Sequence, residues 1–254
     1  MSKDIFSFAF ITDPQIGMNS PFGLYGPGSD KERLDRAIAH VNDNEVDFVI
    51  FGGDQINDAD DENTDAQLDV LQESLSALTV PYHGVIGNHE QGAPTQPWKY
   101  IKLGLPVRFS FSHRGAFFVG INSSWLRGNF GDKYLQEEWD YLENQFSRAP
   151  AGRNHLFVVM HWPLFNYHPR EEDKDAYWNM PNRDALIDLF KRHKVSCVFS
   201  GHWQQDIDAR WHGISLITSV GTSMAIQYPE ELSFKVVTVF EHGWSVRRVS
   251  VERT

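Results

Sequence analysis

Residues Val46 to Asn57 read VDFVIFGGDQIN, and the junction in the middle of that stretch decides the fold. VDFVIF is an apolar run of strand character, and GGDQIN, rich in metal-ligand residue types, follows where the strand ends. Four other segments repeat the arrangement. IFSFAFIT runs into DPQ (Asp13 to Gln15), YHGVI into GNHE (Gly87 to Glu90), HLFVVM into HWP (His161 to Pro163), and VSCVF leads to GHWQ (Gly201 to Gln204). Strand ends in an open α/β sheet converge on one crevice, so five such tips bring Asp, Asn, His and Gln side chains toward a single point.

Helices are legible between the tips. Ser29 and Glu32 form a capping box ahead of a helix that carries Leu34, Ala37, Ile38 and Val41 and ends near Asn44. A second helix near 65–78 aligns Leu68, Leu71, Leu75 and Leu78, and a third near 132–147 aligns Leu135, Trp139, Leu142 and Phe146. A fourth spans about 183–193. RFSFSH and AFFVGIN flank Arg114-Gly115 as a hairpin, and ISLITSV, FKVVTVF and WSVRRVSV close the chain as strands. The order, α/β alternation followed by a β meander, predicts an α/β fold.

A chain of 254 residues that is 41% hydrophobic can bury one large core, and no linker, repeat or low-complexity tract divides it, so one domain over 1–254 is expected. No stretch has the length of a membrane span, and no basic, apolar leader opens the sequence. The single cysteine, Cys197, lies in a strand pattern and forms no intrachain disulfide, so a cytoplasmic setting without a membrane partner is expected. A net charge of −11 argues against a nucleic-acid surface. It does not exclude a phosphorylated substrate, because bound cations reverse the local charge. Oligomeric state is not readable from the sequence.

In their order the five blocks resemble the calcineurin-like metallophosphoesterase superfamily, whose pattern runs D-x-H, G-D, G-N-H-[DE], H and G-H-x-H. The resemblance covers Ile5 to about Gln205. It is similar to a subgroup of single-domain cytosolic proteins that open with D-P-Q and carry an acidic, aromatic stretch before F-S-G-H, here NYHPREEDKDAYWNMP and VFSGH. The fold implied is two packed mixed sheets flanked by helices, a four-layer αββα sandwich. The activity implied is metal-dependent hydrolysis of a phosphomonoester or phosphodiester, and some members of the subgroup are described as protein serine/threonine phosphatases.

The resemblance also implies a site with one or two divalent cations. One half would be Asp54, Asn88, His161 and His202, which match the pattern fully. The other would be Asp13, Gln15, Asp54 and Gln204, where the family's two histidines are both glutamines. Amide oxygens are harder and weaker donors than imidazole, so this half should favour Mn²⁺, Mg²⁺, Ca²⁺ or Fe²⁺ over Zn²⁺. His89 would not bind metal. It would act as general acid on the leaving oxygen, with Asn88 also touching the phosphoryl group during attack by a metal-held hydroxide. Asn57, His168, Arg170 and Trp203 are candidate substrate contacts, and Phe22, Tyr25, Tyr167, Tyr177 and Trp178 candidate aromatic walls. The alternative is a degenerate member that holds one metal and a phosphorylated ligand without turnover, a reading the two glutamines favour and His89 opposes.

Overall fold

The apolar runs pair into two sheets whose strand tips meet. A computed structural model describes residues 4–18, 30–59, 62–91, 101, 106–172, 178–225 and 231–252. The first half contains β1 (Asp4–Ile11), α1 (Asp30–Asp43), β2 (Phe48–Phe51), α2 (Thr64–Ser76), β3 (Tyr82–Gly84) and the single turn α3 (Asn88–Gln91). Next come the hairpin β4 (Phe109–His113) and β5 (Ala116–Gly120), the turn α4 (Ser123–Leu126), α5 (Asp132–Arg148) and β6 (His155–Val159). The last part holds α6 (Arg183–Arg192), β7 (Cys197–Ser200), β8 (Ile207–Trp211), β9 (Ile214–Thr218), β10 (Ser233–Phe240) and β11 (Gly243–Ser250).

One sheet runs β11-β10-β1-β2-β3 and the other β4-β5-β6-β7-β9-β8. Both are mixed. β1, β2 and β3 are parallel and β10 and β11 add antiparallel, while β5, β6, β7 and β9 are parallel between the antiparallel edges β4 and β8. The period of two assigns every side chain a layer. Phe6, Phe8 and Phe10 of β1 meet Phe118, Phe157 and Phe199 between the sheets. Ala9 and Ile11 face the other way, onto Leu34, Ala37 and Ile38 of α1. On the far side, Leu156, Val158 and Val198 pack against Leu142 and Phe146 of α5 and Leu186 and Phe190 of α6. The result is the expected helix–sheet–sheet–helix order. Phe8, fully buried, stacks on Phe48 at 5.4 Å, and truncation of such a ring costs about 3–5 kcal/mol.

The strand β8 escaped the sequence reading. Its stretch IDARW is an edge strand in which half-buried and exposed residues alternate, and Asp208 and Arg210 mask the apolar signal. The capping residue Ser29, together with Phe22, Tyr25 and Tyr177, lies outside the described residues. No helix among the described residues is long and apolar enough to cross a membrane.

Candidate metal centre

Three of the five tip blocks leave their strands through strained backbone. Asp13, Gln15, Asp54, His202 and Gln204 all hold φ between 42° and 62°, the left-handed region that L residues avoid at a cost of order 1–3 kcal/mol each. The other described non-glycine residues with positive φ, Arg114, Lys194 and His212, sit in ordinary turns beside strands or helices. Strain concentrated in three of the five converging tips, DPQ, GGDQIN and GHWQ, marks a built site. Glycines permit the approach. A Cβ on Gly87 would stand 1.9 Å from Asp54 Oδ1, and one on Gly201 would stand 2.4 Å from Asp13 Oδ2.

The histidine half is a convergence of lone pairs. His161 donates Nδ1–H to the Gly52 carbonyl at 2.9 Å, which turns Nε2 toward Asp54 Oδ2 at 3.0 Å and Asn88 Oδ1 at 3.2 Å. Ligand atoms of Asp54, His161 and His202 lie within 4.8 Å of one another, and all three residues are buried. Burial opposes a proton on His161, but hydrogen-bonded Asp54 and nearby Asp13 push its pKa up to about 9. Burial likewise opposes the Asp54 charge, but His161 and His89 hold the carboxyl below its usual range. The pocket therefore favours positive charge among oxygen and imidazole donors, and this donor set fits a divalent cation.

The glutamine half is arranged differently. Gln204 Nε2 donates to Gln15 Oε1 at 3.0 Å and reaches Asp13 Oδ1 at 3.4 Å, while Ser223 Oγ donates to Gln15 Oε1 at 2.7 Å. An amide hydrogen thus occupies the place between the oxygens. Gln204 Oε1 is buried with no hydrogen-bond partner. A half-turn of that amide would set Oε1 beside Asp13 and Gln15, and three oxygens so placed need a cation between them. These residues fit a hard cation in that rotated state only. Burial pushes the Asp13 carboxyl up to about 6, with Asp54 adding to the rise and His161 opposing it.

His89 stands at the mouth, 28% exposed. Its Nδ1 bonds the Asn57 carbonyl, its backbone N–H donates to Asp54 Oδ1 at 3.0 Å, and Nε2 lies 3.8 Å from Asp54 Oδ2 and 3.3 Å from Gln15 Nε2. Burial alone would lower its pKa, but Asp54 and the Asn57 carbonyl raise it. Asn57 thus serves through its backbone. Trp203 is buried next to His202, whereas His168 and Arg170 lie exposed on a neighbouring loop with no bond to the metal-ligand side chains.

Three further residues hold the centre together. Buried Glu90 accepts backbone N–H groups from Asp54, Ile56 and Gly87 at 2.7–2.9 Å, tying the GGDQIN tip to GNHE. Burial and the Asp54 charge push its pKa up to about 7, against the pull of those N–H groups. Ser123 Oγ accepts the N–H of His161 at 2.9 Å, and Ser223 orients Gln15 as described. Glu90 was legible as the last letter of its block. The serines carried no signal, since serine is common in any loop.

With the geometry established, comparison with known proteins decides the family. The calcineurin-like phosphoesterase profile matches residues 6–206, spanning all five blocks. The chain belongs to that family. It is a hydrolase of phosphoric esters. Among its relatives, serine/threonine-protein phosphatase CPPED1 of Danio rerio is 28% identical over 84% of this chain and 75% of its own length. The Homo sapiens protein of the same name is 28% identical over 93% of this chain and 81% of its own length. The crystal structure of a dimetal phosphatase from Danio rerio superposes with a TM-score of 0.73 at 18% identity, covering 98% of this chain and 97% of that one. This likeness concerns the fold.

Proposed function

We propose that the chain hydrolyses a phosphomonoester, with a phosphorylated serine or threonine side chain as the favoured substrate. The observation that carries the reaction is the position of His89. Its Nδ1 is engaged by the Asn57 carbonyl and its Nε2 faces the opening beside Asp54, outside the cluster of Asp54, His161 and His202. A binding module has no use for an imidazole so placed, whereas a leaving oxygen needs a proton donor there. In the step proposed, a water oxygen attacks phosphorus in line and gives up a proton to solvent, the ester P–O bond breaks, and the imidazolium form of His89 passes its Nε2 proton to the departing oxygen. Asn88 steers a phosphoryl oxygen. A divalent cation, when bound, supplies Lewis acidity and hydroxide at neutral pH. Asp54, Asn88, His161 and His202 would hold it, with Asp13, Gln15 and Gln204 offering a weaker second position. The names of the two CPPED1 relatives support the phosphoprotein substrate.

A second reading has its own observation. The Gln204–Gln15 hydrogen bond closes the glutamine half without an ion, which favours a protein that holds one metal and a phosphorylated ligand without turnover. Hydrolysis of a chromogenic phosphate ester, a diester and a phosphoserine peptide with added Mn²⁺, against His89→Ala, tests both. Turnover of the monoester and peptide that His89→Ala abolishes is expected. Binding without turnover would overturn the catalytic reading.

A further inference from the structure

The loop that follows the His161 block is rigid, exposed and decorated for contact. The Glu171 carboxylate accepts the backbone N–H groups of Asn166 at 2.8 Å, Tyr167 at 2.9 Å and His168 at 3.2 Å, and the Asn179 amide as well. Those bonds hold its pKa down against the effect of burial. Arg183 clasps the same loop by donating to the Pro169 carbonyl at 2.8 Å and to that of Glu171. A loop fixed at so many points does not simply drape over the surface.

What it presents is specific. Tyr167 is 66% exposed, the most exposed of the large hydrophobic side chains described. Its ring meets Trp203 at 5.3 Å, Trp203 meets Trp178 at 5.4 Å, and Trp178 meets the metal-ligand candidate His202 at 5.3 Å. An unbroken aromatic path thus runs from the centre to the rim. The Trp203 Nε1–H is buried without an acceptor, the kind of orphan donor that a bound group satisfies. Beside this path, His168 Nδ1 accepts the Arg170 N–H at 3.0 Å, which places the proton of the neutral ring on Nε2. The Arg170 guanidinium is exposed and forms no ion pair with the described residues. The same short loop therefore presents an exposed tyrosine ring and, within three residues of it in the chain, two donors, one permanently cationic, on a protein of net charge −11.

We infer that Tyr167, Trp203 and Arg170 form a second binding element of the esterase centre, one that takes a flat π-bearing group adjoining a second negative charge on the substrate. The inference rests on the esterase reading. The flat group has two sources: the leaving group of a small ester, or an aromatic side chain next to a phosphorylated residue, with an acidic neighbour supplying the charge.

The test is a tryptophan-fluorescence titration with Mn²⁺ present, using methylphosphonate, phenylphosphonate and 4-carboxyphenylphosphonate. Wild type should bind the phenyl compound about tenfold more tightly than the methyl one, and Tyr167→Ala should erase that preference. Arg170→Ala should remove roughly a threefold advantage of the carboxylate and leave phenylphosphonate unchanged. Both side chains are exposed, so neither variant threatens folding. Equal binding of the methyl and phenyl compounds by wild type, or an unchanged preference in Tyr167→Ala, overturns the element and leaves the esterase reading standing. If no phosphonate binds and no ester is hydrolysed, both fall. Turnover of phosphoserine peptides with Phe or Ala flanks, against aryl and alkyl phosphates, separates the sources. The source is the set in which Tyr167→Ala abolishes discrimination, and discrimination unchanged in both sets overturns the element.

Discussion

The two halves of the centre share a fold and differ in what fills the space between their oxygens. In the histidine half, Nε2 of His161, a carboxylate oxygen and an amide oxygen face one another, and no protein donor lies among them unless the ring itself is protonated. In the glutamine half the Gln204 amide puts its own hydrogen among Asp13, Gln15 and itself. The carboxyls respond in opposite directions, Asp54 held ionised by His161 and His89, Asp13 lifted to about 6 by burial. One half therefore balances its carboxylate with a proton on His161, which an entering cation replaces. The other is closed by hydrogen bonds that a cation must first break.

Removing Asp54 is the harshest way to break this contrast, since it faces both halves. Asp54→Ala should lose bound metal by elemental analysis and lose activity beyond the roughly 10–100-fold that removal of an outer supporting residue costs. Retained metal would mean that the centre lies elsewhere. His89→Ala should leave metal content unchanged and lower kcat by about 10²–10⁴-fold, the usual worth of a general acid. Metal loss equal to that of His161→Ala would place His89 among the ligands.

The proton sharpens the contrast between halves. The His161 pKa is raised to about 9, so below that pH the ring carries a proton that an entering cation must displace, and competition grows as pH falls. The affinity of the histidine half should thus rise about tenfold per pH unit between pH 7 and 9, with proton release. Asp13, raised to about 6, is ionised across that window, so the glutamine half should be nearly flat above pH 7. Calorimetric Mn²⁺ titrations in buffers of different ionisation enthalpy measure both slopes. Parallel slopes would remove the distinction.

The layers of the fold were legible because burial on alternate faces writes itself into β1, β2, β5, β6 and β7. The edge strand β8 was not, since one solvated face and two charges leave only a weak pattern. The convergence of Asp54, His161 and His202 at the strand tips was equally legible. What the sequence did not carry is the direction of a side chain. Nothing in GHWQ says that the Gln204 amide donates to Gln15, or that Ser223, 208 residues from Gln15, accepts the task of orienting it. Nor does the sequence say that Asn57, a candidate substrate contact, holds His89 Nδ1 through its backbone carbonyl. His155, another strand histidine, is structural: buried, with Nε2 bonded to the Phe240 carbonyl at 2.8 Å.

Gln204→His makes the two halves alike and is the mildest of these changes. The position is buried at φ 49°, a conformation that histidine adopts more readily than most residues. An imidazole there removes the hydrogen that now lies between the oxygens and substitutes a nitrogen lone pair, while Asp13 and Gln15 stay in place. The second ion should bind about tenfold more tightly, with Zn²⁺ gaining on Mn²⁺ as the donor set softens. Gln204→Asn is the control, because its shorter amide offers an oxygen without reaching Gln15. Counting bound ions during metal titration, alongside hydrolysis at limiting metal, separates three cases. Tighter metal with higher activity means that the glutamine half limits turnover in the native protein. Tighter metal at constant activity means that the histidine half alone runs the reaction. Unchanged metal means that the Gln204 side chain keeps to its hydrogen bonds, and the half-turn of its amide does not occur.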